Sequence, residues 1–389
     1  MFNKTFAYIK EQINTLDIFK VVYDDLSYIK QLAKRFDAYK KVLIFGIGGS
    51  SLGGKCLVNF QAMMSGSESR VIFIENVDSL HFMNTIKKCN PENTGIIVIS
   101  KSGRTTETLM LFLTICEIWK NFDYEQNAIA ITEFSENSDL IKIANEKHMD
   151  VIEHNAKIGG RFSVFSIVGL LPALLGNVRI DAFVKAARNI LDEINNCEVP
   201  SKCEVYKQAY SMYEVFKDGK VNQHVIMPYT DMLEDYCKWT VQLISESLGK
   251  SEDFAITPIH AIGTVDQHSM LQLFLGGMPN KYFTIITFKH NVFTPNINSP
   301  FTRNINGHSL HELMGAHAKA TAKTLQQKSP IRVKEYDKLT ISVLGELMIS
   351  DVIETIVIAR LANINPFDQP AVEASKKVAM QYLNESKKS

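Results

Sequence analysis

Short apolar segments alternate with longer amphipathic ones along the first half of the chain. The apolar segments are rich in β-branched residues and are bounded by polar or glycine-containing turns, which is typical of buried strands. The intervals, and residues 1–36, have apolar positions three and four apart, which predicts helices. The predicted strands cover residues 41–46, 71–75, 95–100 and 128–132. Strands that alternate with helices in this way predict a parallel, doubly wound sheet.

A second α/β unit is predicted further along the chain. The charged segment Asp192–Lys202 contains Pro200 and is typical of a connection between domains. Beyond it the pattern predicts a helix at 232–248, strands at 224–228 and 282–288, and helical tracts at about 337–361 and 371–383. We therefore expect an α/β protein with domains at 1–190 and 191–335 and a C-terminal helical segment at 336–389.

Composition limits the classes of function. The 389 residues are 46% hydrophobic, and 42 basic side chains balance 42 acidic ones, so no global field would recruit nucleic acid or an acidic membrane. The six cysteines are scattered and predict neither a disulfide framework nor a zinc site. The N-terminus lacks the apolar core of a signal peptide, and the longest apolar run, 163–176, is too short to span a bilayer. We expect a soluble cytoplasmic protein.

Two turns rich in glycine and hydroxyl groups directly follow predicted strands. Gly46–Gly53 follows the first strand, and Ser100–Thr108 follows the third. Such a turn before a helix presents backbone N–H groups to an anion, although a glycine-rich turn can also serve tight packing alone. Because both turns would open at the same edge of a parallel sheet, together they favour a ligand site there.

The predicted helix at 232–248 leads into an ordered row of polar side chains. Gln242, Glu246 and Lys250 are spaced by four and therefore lie on one face. The row is compatible with a solvated stripe that includes a Glu246–Lys250 pair. It is equally compatible with a site, because Gly249 ends the helix and places Glu246 in its last turn.

Three other side chains are candidates for chemistry, each with a structural alternative. Arg161 follows two glycines and begins an apolar stretch, 162–175, that predicts a buried helix. It could stabilise developing negative charge or simply pair with a carboxylate or a helix end. His268, with Asp266 nearby to orient it, could be an acid–base group or a hydrogen-bonded structural residue. Lys376 could be catalytic or an ordinary surface lysine on a short helix.

Six motifs together carry a resemblance that none carries alone. They are GIGGSSLGG at 46–54, SKSGRTTET at 100–108, GGRFSVFSIVGL at 159–170, QLISESLGK at 242–250, GTVDQH at 263–268 and FDQPAVEASK at 367–376. In the same order, they resemble the motifs of the glucose-6-phosphate isomerase family, from about residue 40 to 380. The resemblance implies two sugar-isomerase (SIS) domains, each a parallel sheet flanked by helices, followed by a C-terminal helical segment.

The resemblance also implies roles for individual residues. Glu246 matches the base that shuttles a proton, Arg161 the cation beside the reacting carbons, and His268 and Lys376 the groups that open the sugar ring. In this family the histidine reaches in from the partner subunit, which implies a homodimer with shared sites. The implied substrate-binding residues are Gly49, Ser50, Ser100, Lys101, Ser102, Thr105, Thr108, Gln242 and Gln369.

The chain departs from the family pattern at three places. Ser51 stands where an aspartate is common, Arg104 lies in a loop usually richer in threonine, and Pro370-Ala371 replaces the usual residue-glycine pair. The first two could change affinity or the preference among phosphosugars. The third affects how the helix that carries Lys376 begins, although proline suits a first helical turn.

The resemblance implies reversible isomerisation of glucose 6-phosphate and fructose 6-phosphate through a cis-enediol, an aldose–ketose isomerisation of glycolysis and gluconeogenesis. This chemistry needs one base, a cation and ring-opening groups, and no metal or redox cofactor. A non-catalytic phosphosugar sensor on the same fold would keep the Ser100–Thr108 turn without needing the other groups. Broader specificity, including mannose 6-phosphate, stays open from the sequence.

Overall fold

Two parallel sheets organise the chain in the computed structural model, which describes residues 1–290, 292 and 294–386. The first contains β1 (Lys41–Phe45), β2 (Val71–Ile74), β3 (Thr94–Ile99), β4 (Ala128–Thr132) and β5 (Asp150–Glu153). The second contains β6 (Gln223–Pro228), β7 (Thr257–His260), β8 (Lys281–His290) and β9 (Ile331–Lys338). The two doubly wound parallel sheets confirm the expected fold class.

Both sheets have the same strand order. The first runs β2-β1-β3-β4-β5 and the second β7-β6-β8-β9, with every pair parallel. In each, the first strand along the chain lies inside the sheet, the next pairs on one side, and the third pairs on the other. The duplicated architecture suggested by the two α/β halves is therefore present.

The helices fill the connections and cover the faces of the sheets. In chain order they are α1 (Phe2–Thr15), α2 (Asp17–Lys20), α3 (Ser27–Lys34), α4 (Leu52–Ser65), α5 (Ser79–Ile86), α6 (Thr106–Ile118), α7 (Tyr124–Asn127), α8 (Asp139–Glu146), α9 (Ile167–Leu175), α10 (Ile180–Asn196), α11 (Glu204–Phe216), α12 (Glu234–Leu248), α13 (Leu271–Gly276), α14 (Leu310–Leu325), α15 (Ile341–Leu361) and α16 (Glu373–Ser386). Among the described residues, no helix is both long and apolar enough to cross a bilayer.

Three segments differ from the sequence-based expectation. The first residues of the supposed connection at 192–202 complete α10, and only 197–203 link it to α11, with a 3₁₀ turn at Pro200–Lys202. The stretch at 162–175 divides into a 3₁₀ turn, Gly160–Phe165, and helix α9. The tract expected from 337 begins as the end of β9, which runs across residue 335, so the division at 190 and 335 stays a prediction.

The core has three layers separated by the two sheets. Val42 and Ile44 of β1 face a central layer, whereas Leu43 and Phe45 face an outer one. The central layer continues to the second sheet, where Ile226 of β6 joins it, and a third layer lies beyond. The strands are therefore covered on both faces, which explains their almost continuous apolar sequences.

Helix α15 lies in the central layer and carries a buried ionic cluster. Arg332 donates to both oxygens of Glu354 at 2.8 and 2.9 Å, and Lys334 approaches Glu354 and Asp351 at 3.5 and 3.6 Å. Tyr236 of α12 donates to Asp351 at 2.6 Å. The cluster therefore joins β9, α15 and α12 through paired charges. Burial alone raises the pKa of Glu354, but Arg332 and then Lys334 outweigh it and lower that pKa to about 2.

Glu354→Gln should destabilise the protein by about 3–5 kcal/mol, because it leaves the buried Arg332 guanidinium without its counter-charge. The carboxylate contributes stability above its unfolded pKa near 4.5, and this contribution is lost as the pH falls towards 2. Urea unfolding at pH 7 measures the loss. The control Glu214→Gln removes an exposed pair with Lys217, and its unfolding midpoint should stay close to that of the wild type. Equal midpoints for the two variants would contradict this account.

Candidate active site

The candidate site lies where the first sheet changes winding direction. β1 and β3 are neighbours, and the chain leaves β1 towards β2 on the opposite side. The turns after β1 and β3 therefore open side by side, which is where open α/β sheets bind ligands. The two turns are close where they begin, because a Cβ on Gly46 would lie 3.3 Å from the Ile99 carbonyl oxygen.

The turn after β1 is shaped by close backbone contacts. Gly48 has a φ of 59°, and a Cβ on it would lie 3.0 Å from Nε2 of Gln242. A Cβ on Gly49 would lie 2.2 Å from the carbonyl carbon of Gly160. Ser163 donates to the Gly49 carbonyl at 3.0 Å. This turn, which includes Ser50, is thereby held against the 3₁₀ turn that carries Arg161 and against α12.

The turn after β3 gathers hydroxyl groups at the start of α6. Ser100 donates to the Thr105 hydroxyl at 2.9 Å, and Ser102 accepts from the Arg104 amide at 3.3 Å. Thr105 precedes α6, and its side chain does not cap the helix. The first N–H groups of a helix left uncapped in this way suit a phosphate. Thr108, in contrast, is fully buried within the first turn of α6.

Arg161 is the centre of the site, and all five of its N–H donors have protein acceptors. Nε donates to the Ser247 hydroxyl at 2.9 Å. Nη1 donates to Oε2 of Glu246 and to Oε1 of Gln369, both at 3.1 Å. Nη2 donates to the carbonyl oxygens of Pro366 and Asp368. A guanidinium bound in this way has a fixed orientation. The Arg161 side chain is also almost completely buried, with 2% of its surface exposed.

The carboxylate of Glu246 is held from both sides. Its Oε1 accepts from Nε2 of Gln242 at 2.9 Å, and its Oε2 accepts from Arg161. The Glu246 side chain is 28% exposed, so part of it remains accessible to a ligand. Oε1 of Gln242 is buried and has no hydrogen-bond partner in the part of the chain that the structure describes. It is an acceptor that a ligand hydroxyl could use.

Lys250 lies just beyond the end of α12 and does not pair with Glu246, which corrects the supposed solvated stripe. Its Nζ donates to the Asn365 carbonyl at 2.6 Å and to Oδ1 of Asp368 at 2.7 Å. The two cations, Arg161 and Lys250, therefore bind the same stretch of chain, residues 365–369. That stretch brings Gln369 to the site.

Burial lowers the pKa of the two cations nearest the ligand side. The pKa of Arg161 is lowered by burial and raised in part by the Glu246 carboxylate. Burial also lowers the pKa of Lys101, which Glu133 opposes and the charge of Arg161 reinforces. Both cations are therefore partly removed from water, and their mutual repulsion contributes to the lowered pKa of Lys101. No group of three or more His, Cys, Asp or Glu side chains suited to a metal ion occurs among the described residues.

Two further expected residues are exposed, and His268 is outside the hydrogen bonds of this cluster. His268 follows a 3₁₀ turn after β7 and is exposed, and no side-chain hydrogen bond joins it to Arg161 or Glu246 within the described chain. Asp266 accepts from the Ile262 amide and the Ser269 hydroxyl, so it does not orient His268 as expected. Lys376 is exposed on α16.

The three departures from the family pattern have distinct surroundings. Ser51 donates to Oε1 of Glu75 at 2.7 Å, so a carboxylate from the end of β2 supports this turn. Arg104 is exposed. Pro370 begins a 3₁₀ turn, Pro370–Val372, directly before α16, which agrees with the suitability of proline for a first helical turn.

Sequence reasoning missed the groups that accept hydrogen bonds from Nε and Nη2 of Arg161. Ser247 is adjacent to Glu246, but its role depends on which side of α12 faces the 3₁₀ turn, and spacing alone did not reveal this. The Pro366 and Asp368 acceptors are backbone carbonyls, which no side-chain pattern identifies. The one available signal was Lys250, an unexplained cation in the motif that contains Glu246.

A family model described as phosphoglucose isomerase matches residues 13–389. The chain belongs to the phosphoglucose isomerase family. A probable glucose-6-phosphate isomerase of Methanococcus maripaludis is 31% identical over 392 residues, covering 97% of this chain and 86% of the relative. The resemblance inferred from the six motifs is thereby confirmed.

Solved structures agree at the level of the fold. A hypothetical protein from Thermus thermophilus has a TM-score of 0.88 at 23% identity, covering 98% of this chain and 94% of that one. A glucose-6-phosphate isomerase from Chlamydia trachomatis has a TM-score of 0.79 at 22% identity, covering 95% and 75% respectively. The SIS-type arrangement of two parallel sheets is common to them.

Gly49→Ala should reduce both stability and activity, because its Cβ would collide with the backbone of Gly160 rather than with a flexible side chain. We expect a loss of about 1–3 kcal/mol from overpacking and a lower kcat/KM for glucose 6-phosphate. Gly315→Ala is the control, since a Cβ there meets nothing within 4 Å. Thermal unfolding and a coupled assay measure both effects. A Gly49→Ala protein as stable and active as the control would show that the close approach is dispensable.

Proposed function

We propose that this protein interconverts glucose 6-phosphate and fructose 6-phosphate, with Glu246 transferring the proton between C2 and C1. The observation that carries the assignment of the base is the position of the Glu246 carboxylate, in contact with Arg161 and Gln242 on a side chain that is partly exposed. Membership of the phosphoglucose isomerase family supports the reaction itself.

Proton transfer between adjacent carbons needs one base and a charge partner. Glu246 takes the proton from C2, which forms the cis-enediol as its singly charged enediolate, and returns the proton to C1, while the hydroxyl proton on O2 passes to O1. The oxygens of this intermediate carry negative charge that Arg161, already fixed in orientation, stabilises. Gln242 and Gln369 contact the same guanidinium–carboxylate pair and bind sugar hydroxyl groups.

The phosphate serves as a handle remote from the reacting carbons. The Ser100–Thr105 turn and the first N–H groups of α6 bind it, with Lys101 supplying a nearby positive charge. Binding energy from this group orients the open-chain sugar, with Gly49 and Ser50 contacting it from the turn after β1. The Thr108 hydroxyl is buried in the first turn of α6 without a hydrogen-bond partner in the described chain, so it is a further donor for the phosphate.

Ring opening and assembly complete the proposal. His268 is exposed and separate from the Arg161 cluster of its own chain, which suits a histidine that serves a neighbouring subunit. Lys376, on α16, takes part in opening the ring. Apolar side chains are exposed on both segments, among them Leu273 at 54% and Tyr382 at 68%, and a twofold partner would cover them.

The six unpaired cysteines support a cytoplasmic location.

Glu246→Gln should lower kcat by roughly 10²–10⁴-fold, the range of a lost general base. KM should change little, since the amide keeps the shape of the side chain and can still accept from Arg161. A coupled assay with glucose 6-phosphate measures both constants, and mannose 6-phosphate in the same assay reports specificity. Glu234→Gln, at the exposed start of α12, is the matched control. More than about a tenth of wild-type turnover in Glu246→Gln would exclude it as the base.

Mixing two inactive variants tests the shared site. Glu246→Gln and His268→Ala chains are combined under conditions that allow subunits to exchange, and exchange is verified by mass. If each site uses the partner's histidine, a mixed dimer has one intact site, so activity should return to about a quarter of wild type at statistical mixing. If exchange occurs without any recovery of activity, each chain uses its own histidine.

A further inference from the structure

We propose that Lys250 is a positioning residue for the isomerisation, because it holds the 365–369 segment against Arg161. This proposal rests on the function proposed above and adds a role for the ion pair between Lys250 and Asp368. Lys250 lies two residues beyond the end of α12 and four residues after Glu246. It links the end of the helix that carries the base to the segment that carries Gln369.

The contacts of Lys250 bind the segment at two points. Nζ donates to the Asn365 carbonyl at 2.6 Å and to the Asp368 carboxylate at 2.7 Å. Asn365 Nδ2 donates to the other oxygen of Asp368 at 3.0 Å, and the Phe367 amide donates to Asn365 Oδ1 at 3.1 Å. Asn365 and Asp368 are thereby joined to each other and to the same ammonium group.

The same segment supplies three of the acceptors of Arg161. The carbonyls of Pro366 and Asp368 accept from Nη2, and Gln369 Oε1 accepts from Nη1. If the segment moved outwards, Nη2 would lose both its partners, and the guanidinium would turn or attract water. The orientation of the Arg161 guanidinium towards Glu246 therefore depends on the position of the 365–369 segment. The position of Gln369 depends on it as well.

Burial distinguishes this pair from an ordinary surface ion pair. The Lys250 side chain is 13% exposed, whereas Lys238, which pairs with Glu234 on the same helix, is 41% exposed. The charges that face Lys250 are Arg161, Asp368 and Glu246, and burial lowers its pKa. Asp368 itself is 54% exposed, so the charge attraction alone would contribute little. Lys250 therefore holds the segment mainly through its hydrogen bond to the Asn365 carbonyl, and less through its charge attraction to Asp368.

Lys250→Met removes both contacts and keeps the apolar stem. We expect kcat for glucose 6-phosphate to fall about 10–100-fold, the scale of a catalytic group displaced by about an ångström, with KM rising less than about threefold. Lys250→Arg should recover most of the activity, because it keeps a donor near both acceptors. Lys238→Met is the matched control and should keep wild-type constants. The double variant Lys250→Met with Asp368→Ala should be no worse than the more impaired single variant.

Hydrogen exchange of the Phe367 amide, which donates to Asn365 Oδ1, and of the neighbouring Asp368 and Gln369 amides provides a readout that does not depend on activity. It should be faster in Lys250→Met than in the wild type and unchanged in Lys238→Met. Unchanged exchange would overturn the proposal, and faster exchange with kcat within twofold of wild type would reduce Lys250 to a structural residue. If the wild-type protein fails to isomerise glucose 6-phosphate, the proposed function fails, and the exchange comparison still decides whether Lys250 holds the segment.

Discussion

The site depends on a guanidinium that has been removed from water. A buried Arg161 is tolerated only if its charge and all its N–H groups are compensated, since the desolvation of such an ion costs several kcal/mol. The acceptors that compensate it come from α12 and from the segment at 365–369, which are far apart in sequence. Satisfying one side chain therefore joins the 3₁₀ turn that carries Arg161, the helix with the proposed base and the C-terminal part of the chain. The arrangement is pre-organised because moving any one of these elements would leave a buried donor unpaired.

The same pairing suits the proposed reaction. At rest, Arg161 balances the Glu246 carboxylate. When the carboxylate takes a proton from the sugar, the negative charge passes to the oxygens of the enediol, and the guanidinium beside both groups can balance it there. The charge moves over a short distance while the cation stays in place, so little reorganisation accompanies the step. The Lys101 ammonium takes no part in this pairing and is the charge proposed to bind the phosphate.

The sequence predicted what depends on local chemistry and missed what depends on packing between distant segments. The buried strands of both sheets were predicted because they are apolar over their whole length. The strands β5, β7 and β9 were not predicted, because they are edge strands with polar, half-exposed residues. The two ligand turns and Glu246 were identifiable from motifs. The acceptors behind Arg161 were not, because two of them are backbone carbonyls near the end of the chain. The pairing of Lys250 with Asp368 rather than with Glu246 depends on where a segment more than 100 residues away is folded.

Two sheets with one topology would be expected to offer two equivalent sites, and the reason that they differ can be seen at the first strand of each. β1 ends at Phe45, and the turn that follows begins with Gly46 and is rich in glycine and serine. The equivalent strand, β6, ends before Tyr229, whose ring is 2% exposed and fills the space beside Gly263, where a Cβ would lie 2.6 Å from a ring carbon. The first residue after β6 is therefore a large core side chain, whereas the first residue after β1 is a glycine. The second sheet contributes instead through α12, which follows β6 and carries Gln242 and Glu246 across to the crevice of the first. In the proposed site, the two halves of the duplicated fold therefore have different roles, with the proposed binding turns in one half and the proposed base in the other.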